Sequence, residues 1–384
     1  MDYPYIILLA LLLCLFAYSL HNRRHRKYCG HISAALVFLF IALRAPVVGG
    51  DTIDYVRLLE GSSSSAYLYM GHVEALYLAY NATMSYLLMQ NSVAFLLVHS
   101  FLCLFPIYLL ASKYSRNMSM TCLLFMIMTL YPNYMAALRQ IFGMGILFLG
   151  MWYFLENKRW KWFVFVGSGV LGYFMHSSVL VTFSFYLVCY FIRYNTKIVP
   201  YTAILVSAVV GRLLHLFNVQ DALNLLVYNL SSISELNRMN EYLGWELAED
   251  NNAGMMLLLS SSLIALAFFY MMTEKQATHW FARILLMGIV INNLFVGVRM
   301  LDRLILPLMM FATICYTWMF NACYFLAKGY TKFLYQGLLV LCLAYMAQSY
   351  YKQNTNYDKE DAMLLHPYYF FWQDYRDHPA LRLR

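Results

Sequence analysis

Apolar residues in this chain come in long unbroken runs. The stretch "YPYIILLALLLCLFAYSL" fills residues 3–20, and comparable runs recur near 31–48, 92–111, 117–134, 138–155, 160–175, 177–193, 198–217, 253–272, 280–298, 304–322 and 333–350. Each approaches the roughly 20 residues that a helix needs to cross a bilayer core. The strands of a membrane barrel alternate polar and apolar positions, and these runs do not, which leaves helices as the way to satisfy the backbone in lipid. The pattern predicts an all-α, polytopic integral membrane protein with about 12 transmembrane helices. No soluble-length polar block separates the runs, so residues 1–384 read as one membrane domain.

One segment breaks the register. "EALYLAYNATMSYLLMQ" (74–90) is apolar enough to be embedded, yet as a crossing it would put the basic loop "KYSR" on the wrong side. Its polar residues Glu74, Asn81 and Ser85 fall at i, i+7 and i+11, one face of a helix. An amphipathic or re-entrant helix on the outer side fits this spacing. The alternative is a thirteenth crossing with a polar stripe between helices.

Composition agrees with the class. Hydrophobic residues make up 62% of the chain and charged residues 12%, against about 25% charged in a soluble domain; the mean hydropathy is +0.57. The charge orients the chain. The first apolar run is followed by "HNRRHRK", and shorter basic loops follow at "KYSR", "ENKRWK", "IRYNTK", "EKQATHWFAR" and "AKGYTK". Positive loops stay cytoplasmic, which places both termini outside. The net charge of +8 is thus mostly orientation, and its dispersal argues against nucleic-acid binding. The outer loops 49–91 and 218–252 and the tail 351–384 are then expected to build the extracytoplasmic face.

Of the eight cysteines, Cys14, Cys103, Cys122, Cys189, Cys315 and Cys342 lie within apolar runs, where a thiol acts as a small hydrophobe. Neither a CxxC nor a Cys/His ligand spacing is present, and neither is a P-loop or GxGxxG. The sequence therefore calls for no metal, nucleotide or other cofactor.

With this orientation, the uncommon polar residues collect at outer helix ends. "RAPVVGGDTIDY" supplies Arg44, Asp51 and Tyr55 after the second run, Glu74 opens the amphipathic helix, and "YPNYMAALRQ" supplies Arg139 and Gln140. "YFMHSS" supplies His176, and "NNLFVGVRMLDRL" supplies Arg299, Asp302 and Arg303. Singly, Arg44 is explained by snorkelling, Asp302 with Arg303 by a local pair, and His176 by capping a short loop. Jointly, four arginines with acidic groups and a histidine suit a site for an anionic lipid substrate. Arginine gives bidentate phosphate contacts, and Asp51, Glu74 or His176 supplies a base. Asp51 is also placed to cap the helix after it.

The order and spacing of these pieces resemble the Wzy/EpsG-type polysaccharide polymerases. The resemblance runs from about the second run to the tenth. It is carried by Arg-x4-Gly-x-Asp-x3-Tyr (Arg44, Gly49, Asp51, Tyr55), by Asn-x5-Arg-Gln (Asn133, Arg139, Gln140), by His176 followed by serine, and by "VRMLDR". Where such proteins often follow the glutamate with a glycine, this chain has Leu76, which ranks Asp51 ahead of Glu74. The resemblance implies a GT-C-like membrane glycosyltransferase in a bacterial cytoplasmic membrane with its site facing outward. It would join oligosaccharide repeat units carried on undecaprenyl diphosphate, both donor and acceptor being lipid-linked, alongside a flippase and a chain-length regulator. Arg44, Arg139, Arg299 and Arg303 would bind diphosphate, Asp51, His176 and Glu74 would be catalytic, and Tyr55 and Gln140 would contact substrate. An O-antigen ligase or other lipid-phosphate-sugar transferase shares nearly all these features. A lipid-linked-oligosaccharide flippase should instead show mid-helix charges and paired broken helices. A surface-polysaccharide acyltransferase would place its histidine in an acidic context that is not found.

The basic-loop pattern makes a direct prediction. In a cysteine-free background, His25→Cys should resist a membrane-impermeant thiol reagent in intact cells and Glu360→Cys should react. Labelling of position 25 from outside would overturn the orientation.

Overall fold

In the computed structural model, the residues described are 3–49, 51–61, 73–128, 130–216, 252–295, 299–326, 329, 333, 336–337 and 368–376. Among them the secondary structure is helical, with one isolated antiparallel bridge between Arg44 and Phe370. Among the described residues, four helices are long and apolar enough to cross a membrane: Tyr3–His21, Ser92–Tyr114, Leu138–Leu155 and Leu304–Tyr324. Shorter apolar helices include Lys161–Met175, Ser178–Phe191 and Trp280–Leu294. The expected run 333–350 lies almost wholly outside the described residues.

The chain divides into two compact units, residues 1–183 with 346–384 and residues 184–345. The first contains α1 (Tyr3–His21), α2 (Arg26–Ala42), α3 (Thr52–Leu59), α4 (Ala75–Leu87), α5 (Ser92–Tyr114), α6 (Met118–Ile127), α7 (Tyr131–Ala136), α8 (Leu138–Leu155) and α9 (Lys161–Met175). Helix α10 (Ser178–Phe191) begins in this unit and continues into the second. The second also holds α11 (Ile198–Leu216), α12 (Asn252–Met271), the short α13 (Glu274–Ala277), α14 (Trp280–Leu294) and α15 (Arg299–Asn321).

Three expected runs differ in the structure, the run 31–48 being α2, which starts at Arg26 and stops at Ala42. The run 117–134 is broken, because α6 stops at Ile127 and α7 starts at Tyr131 with Pro132 in its first turn. Proline lacks an N–H and opens a helix more readily than it continues one. The run 304–322 starts earlier, so that "RMLDRL" forms the first turns of α15 instead of a loop. The awkward segment 74–90 is the 13-residue α4. At about 1.5 Å per residue it rises about 20 Å, short of a ~30 Å core. Its polar stripe faces inward. Asn81 Nδ2 donates to Tyr55 O at 3.4 Å, and the Ser85 hydroxyl donates to Leu59 O at 2.5 Å. The first is a carbonyl within α3, and the second is its last carbonyl, which has no partner inside that helix.

Within the first unit, the two ends of the helices differ in chemistry. At one end Asn117 caps α6, accepting from Met120 N–H at 3.2 Å, and its Nδ2 donates to Ser19 Oγ at 2.7 Å. Lys113 at the end of α5 pairs with Glu156 at the end of α8, and the Tyr108 hydroxyl meets His31 Nδ1 at 2.8 Å. The basic segments "HNRRHRK", "KYSR" and "ENKRWK" therefore share this end. At the other end the Tyr5 hydroxyl donates to Met126 O at 3.2 Å, and the motif residues assemble around the start of α8. The 18 residues of α8 separate the two ends, a rise of about 27 Å.

Helices α8 and α9 pack backbone to backbone. A Cβ on Gly143 would lie 2.9 Å from Gly172 O, and one on Gly172 would lie 2.9 Å from Gly143 O. Small residues at such an interface let membrane helices approach closely. The pairing sets His176, just past α9, beside the start of α8.

The turn after α2 depends on Gly49. Its φ is +104°, and a Cβ there would sit 2.4 Å from Met135 O. Gly50 lies outside the described residues. Gly49→Ala should lower stability by about 2 kcal/mol or more, read as an earlier thermal melt in detergent. Gly167→Ala, on a helix face with nothing within 4 Å of the added Cβ, should melt no earlier than wild type. Equal melts for the two variants would remove the constraint assigned to Gly49.

Candidate functional site

The site is built on one buried cation. Arg44 follows α2 and is 0% exposed. Its NH1 donates to Ile41 O at 2.6 Å and its Nε to Val48 O at 3.2 Å. NH2 donates to Met135 O at 3.1 Å and reaches Thr52 Oγ1 at 3.5 Å. The Thr52 hydroxyl also donates to Met135 O. One guanidinium thus ties the end of α2, the turn before α3 and the end of α7 together. The C-terminal segment closes over the same place. Ala45 N–H donates to Tyr369 O at 2.8 Å and Phe371 N–H to Leu43 O at 3.1 Å. Tyr368 stacks on Phe40 with centroids 4.5 Å apart and donates its hydroxyl to Phe40 O.

This arrangement revises one expectation. Arg44 is a sequence candidate for diphosphate contact, but its side chain is enclosed and its donors point to protein oxygens. An enclosed cation in an apolar setting persists when such oxygens surround it. Arg44 fastens the motif.

Arg139 stands differently. It occupies the first turn of α8, and its side chain is 20% exposed. Its Nε donates to the Tyr55 hydroxyl at 2.7 Å, and its NH1 donates to Glu74 Oε2 at 2.8 Å. Its guanidinium carbon lies 5.6 Å from the Tyr55 ring centroid. Glu74 precedes α4 as the N-cap residue, and its other oxygen, Oε1, accepts Ser177 N–H at 3.1 Å. Burial pushes the Tyr55 phenol above its ordinary pKa against the opposing pull of Arg139, while the charges of Asp51 and Glu74 push it further up. The Tyr55 hydroxyl is therefore a neutral acceptor for the guanidinium.

Asp51 precedes α3 as its N-cap residue, and its side chain makes no capping hydrogen bond. Its backbone carbonyl accepts instead, from Asp54 and Tyr55 N–H at 3.2 and 3.3 Å. His176 is the C-cap of α9. Its Nδ1 lies 2.8 Å from Ser178 Oγ and 3.3 Å from Ser178 N–H. A ring nitrogen that receives a backbone N–H is an acceptor, which assigns the proton of the neutral ring to Nε2. Gln140, next to Arg139, is buried. The structure thus gathers Asp51, Tyr55, Glu74, Arg139 and His176 with Ser177 at one end of the first unit. Arg299 and Arg303 lie in the first turns of α15 in the second unit, and their side chains are outside those described.

Sequence reasoning misses several parts. Met135 contributes only its carbonyl and Ser177 only its N–H, and neither leaves a trace in residue type. Thr52 and Tyr77 are more legible. Thr52 adjoins Asp51, and Tyr77 lies one helical turn after Glu74, with its ring 5.4 Å from that of Tyr55. Among the described residues there is no group of three or more His, Cys, Asp or Glu placed to hold a metal ion.

A family model described as the EpsG family matches residues 27–370. No curated protein and no solved structure matches the chain.

The role given to Arg44 is separable from phosphate contact. Arg44→Lys keeps the charge but loses the planar fork of donors, leaving buried carbonyls unmet. It should cost about 2–4 kcal/mol of stability, seen as early melting and lower yield of folded protein. A wild-type melt for this variant would contradict the fastening role.

Proposed function

The chain belongs to the EpsG family, and on that premise we propose that this multi-pass membrane protein is a glycosyltransferase that polymerises oligosaccharide repeat units. The family implies a membrane polysaccharide polymerase-like function. In the proposed reaction, donor and acceptor units are both carried on undecaprenyl diphosphate. They meet at the outer face of a bacterial cytoplasmic membrane, in a protein of twelve crossings with α4 re-entrant on the outer side. An acceptor hydroxyl attacks the anomeric carbon of the donor, and the lipid diphosphate leaves.

The observation that best supports this reading is the state of Arg139. Its guanidinium is partly exposed at a helix start, at the end of the unit opposite the basic loops. A helix N-terminus and an arginine both favour an oxyanion, and a guanidinium matches phosphate geometry at two points. Tyr55 holds Nε in place, so the planar group is oriented before substrate arrives. Asp51, Glu74 and His176 are the carboxylates and imidazole within the same cluster, and Tyr55 contacts Arg139 within it. Diphosphate is a good leaving group, so positioning with charge stabilisation accounts for much of the required catalysis. The neutral Nε2-protonated tautomer suits His176 to donating a hydrogen bond to a sugar hydroxyl or phosphate oxygen. For Arg299 and Arg303 the support is the sequence pattern alone.

Arg139→Lys should lose most polymer while the protein remains inserted and abundant, since lysine offers a point charge without a fork. Asp51→Asn should likewise stop polymerisation and leave single repeat units on the lipid carrier, because asparagine keeps the shape but offsets no positive charge. Lipid-linked glycans extracted from cells expressing each variant give the readout. Normal chain length from Arg139→Lys would reduce Arg139 to an interfacial anchor.

A further inference from the structure

Glu74 is held from two sides. Oε2 takes Arg139 NH1 at 2.8 Å, and Oε1 takes the backbone N–H of Ser177 at 3.1 Å. The carboxylate also sits at the N-terminus of α4, where the helix dipole favours negative charge. Two of its three supports therefore do not involve Arg139. The pair is reachable as well, the side chains of Arg139 and Glu74 being 20% and 22% exposed.

Paired in this way, Arg139 has part of its charge offset by Glu74. A lipid diphosphate brings two phosphates and more than one negative charge, and it competes for the guanidinium as a stronger partner than one carboxylate. When it succeeds, Glu74 loses its cation but keeps the Ser177 N–H and the helix end. The carboxylate then stays in place without its strongest partner.

Resting on the polymerase reading above, we propose that Glu74 is a resident stand-in for the donor diphosphate on Arg139, displaced by it, and that the displaced carboxylate is the base for the acceptor. The exchange couples the two half-sites. Before the donor binds, the base is masked by Arg139. After it binds, Glu74 Oε2 accepts the proton of the acceptor hydroxyl. The acceptor oxygen bonds to the anomeric carbon as the bond from that carbon to the diphosphate oxygen breaks. Its electron pair leaves on the diphosphate, whose charge Arg139 holds. Release of the diphosphate lets Glu74, after losing its proton to water, re-pair with Arg139. Donor binding thus precedes activation of the acceptor.

A carboxylate that competes with the ligand makes an unusual mutational prediction. Glu74→Gln keeps an acceptor for Ser177 N–H but removes the competing charge. Isothermal titration of the purified full-length protein with farnesyl diphosphate should show about tenfold tighter binding than wild type. Farnesol, which has the chain and no charge, should bind both proteins alike. The gain should vanish in Glu74→Gln combined with Arg139→Gln, which places it on the guanidinium. The same Glu74→Gln protein should make no polymer from lipid-linked repeat units, so that tighter donor binding accompanies lost turnover. A purely structural role for Glu74 would weaken or leave unchanged both binding and melting behaviour. If wild type polymerises and Glu74→Gln binds the diphosphate no more tightly, the exchange is wrong and the polymerase reading stands. If wild type neither binds the diphosphate nor polymerises, both fall.

Discussion

A guanidinium enclosed in protein is expensive unless oxygens surround it, and the first unit is organised around meeting that demand for Arg44. The carbonyls of Ile41, Val48 and Met135 come from three separate segments. Two of them lie at or beyond helix ends, where carbonyls lack helical partners. Collecting them on one cation satisfies those carbonyls and fixes where α2, α3 and α7 stop and start. Gly49 is required for the same reason, because any Cβ there would strike the Met135 carbonyl that Arg44 and Thr52 share. Removal of the cation would leave several buried acceptors unmet at once, which is why the cost is expected to exceed that of one hydrogen bond.

The candidate site residues inherit their positions from this fastening. Thr52 begins α3, and one turn later α3 presents Tyr55 to Arg139. Met135 lies in α7, and α8 opens with Leu138 and Arg139 immediately after it. The polar stripe of α4 then grips two carbonyls of α3 and holds Glu74 against Arg139. The Gly143–Gly172 contact brings the α9–α10 turn alongside, so that Ser177 completes the carboxylate's seat. The two arginines therefore divide the work. Arg44 is buried and holds the frame, and Arg139 is partly exposed and, on the proposed reading, meets substrate.

Much of this was legible in the chain. Long apolar runs announced the helical membrane class, and the described helices follow most of them. The spacing of Glu74, Asn81 and Ser85 identified one face of α4, and the motif residues Asp51, Tyr55, Glu74, Arg139 and His176 do come together. The division of labour between arginines was not legible, since residue type does not reveal whether a guanidinium meets carbonyls or solvent. The ranking of Asp51 over Glu74 rested on Leu76 replacing a glycine, whereas the structure puts Glu74 in direct contact with Arg139. The pairing of the Tyr368–Phe371 segment with residues 43–45 spans more than 300 positions. No local pattern encodes such a contact, and aromatic residues near a membrane read equally well as an interface belt.

The central claim is that Arg139, oriented by Tyr55 and held at rest by Glu74, is the seat of a lipid diphosphate. A cryo-EM structure of the protein in lipid nanodiscs with bound undecaprenyl diphosphate tests it most directly. The account predicts phosphate oxygens within hydrogen-bond distance of the Arg139 guanidinium, the Glu74 carboxylate separated from Arg139 but still on Ser177 N–H, and Arg44 unchanged. Diphosphate bound elsewhere with the Arg139–Glu74 pair intact would contradict it.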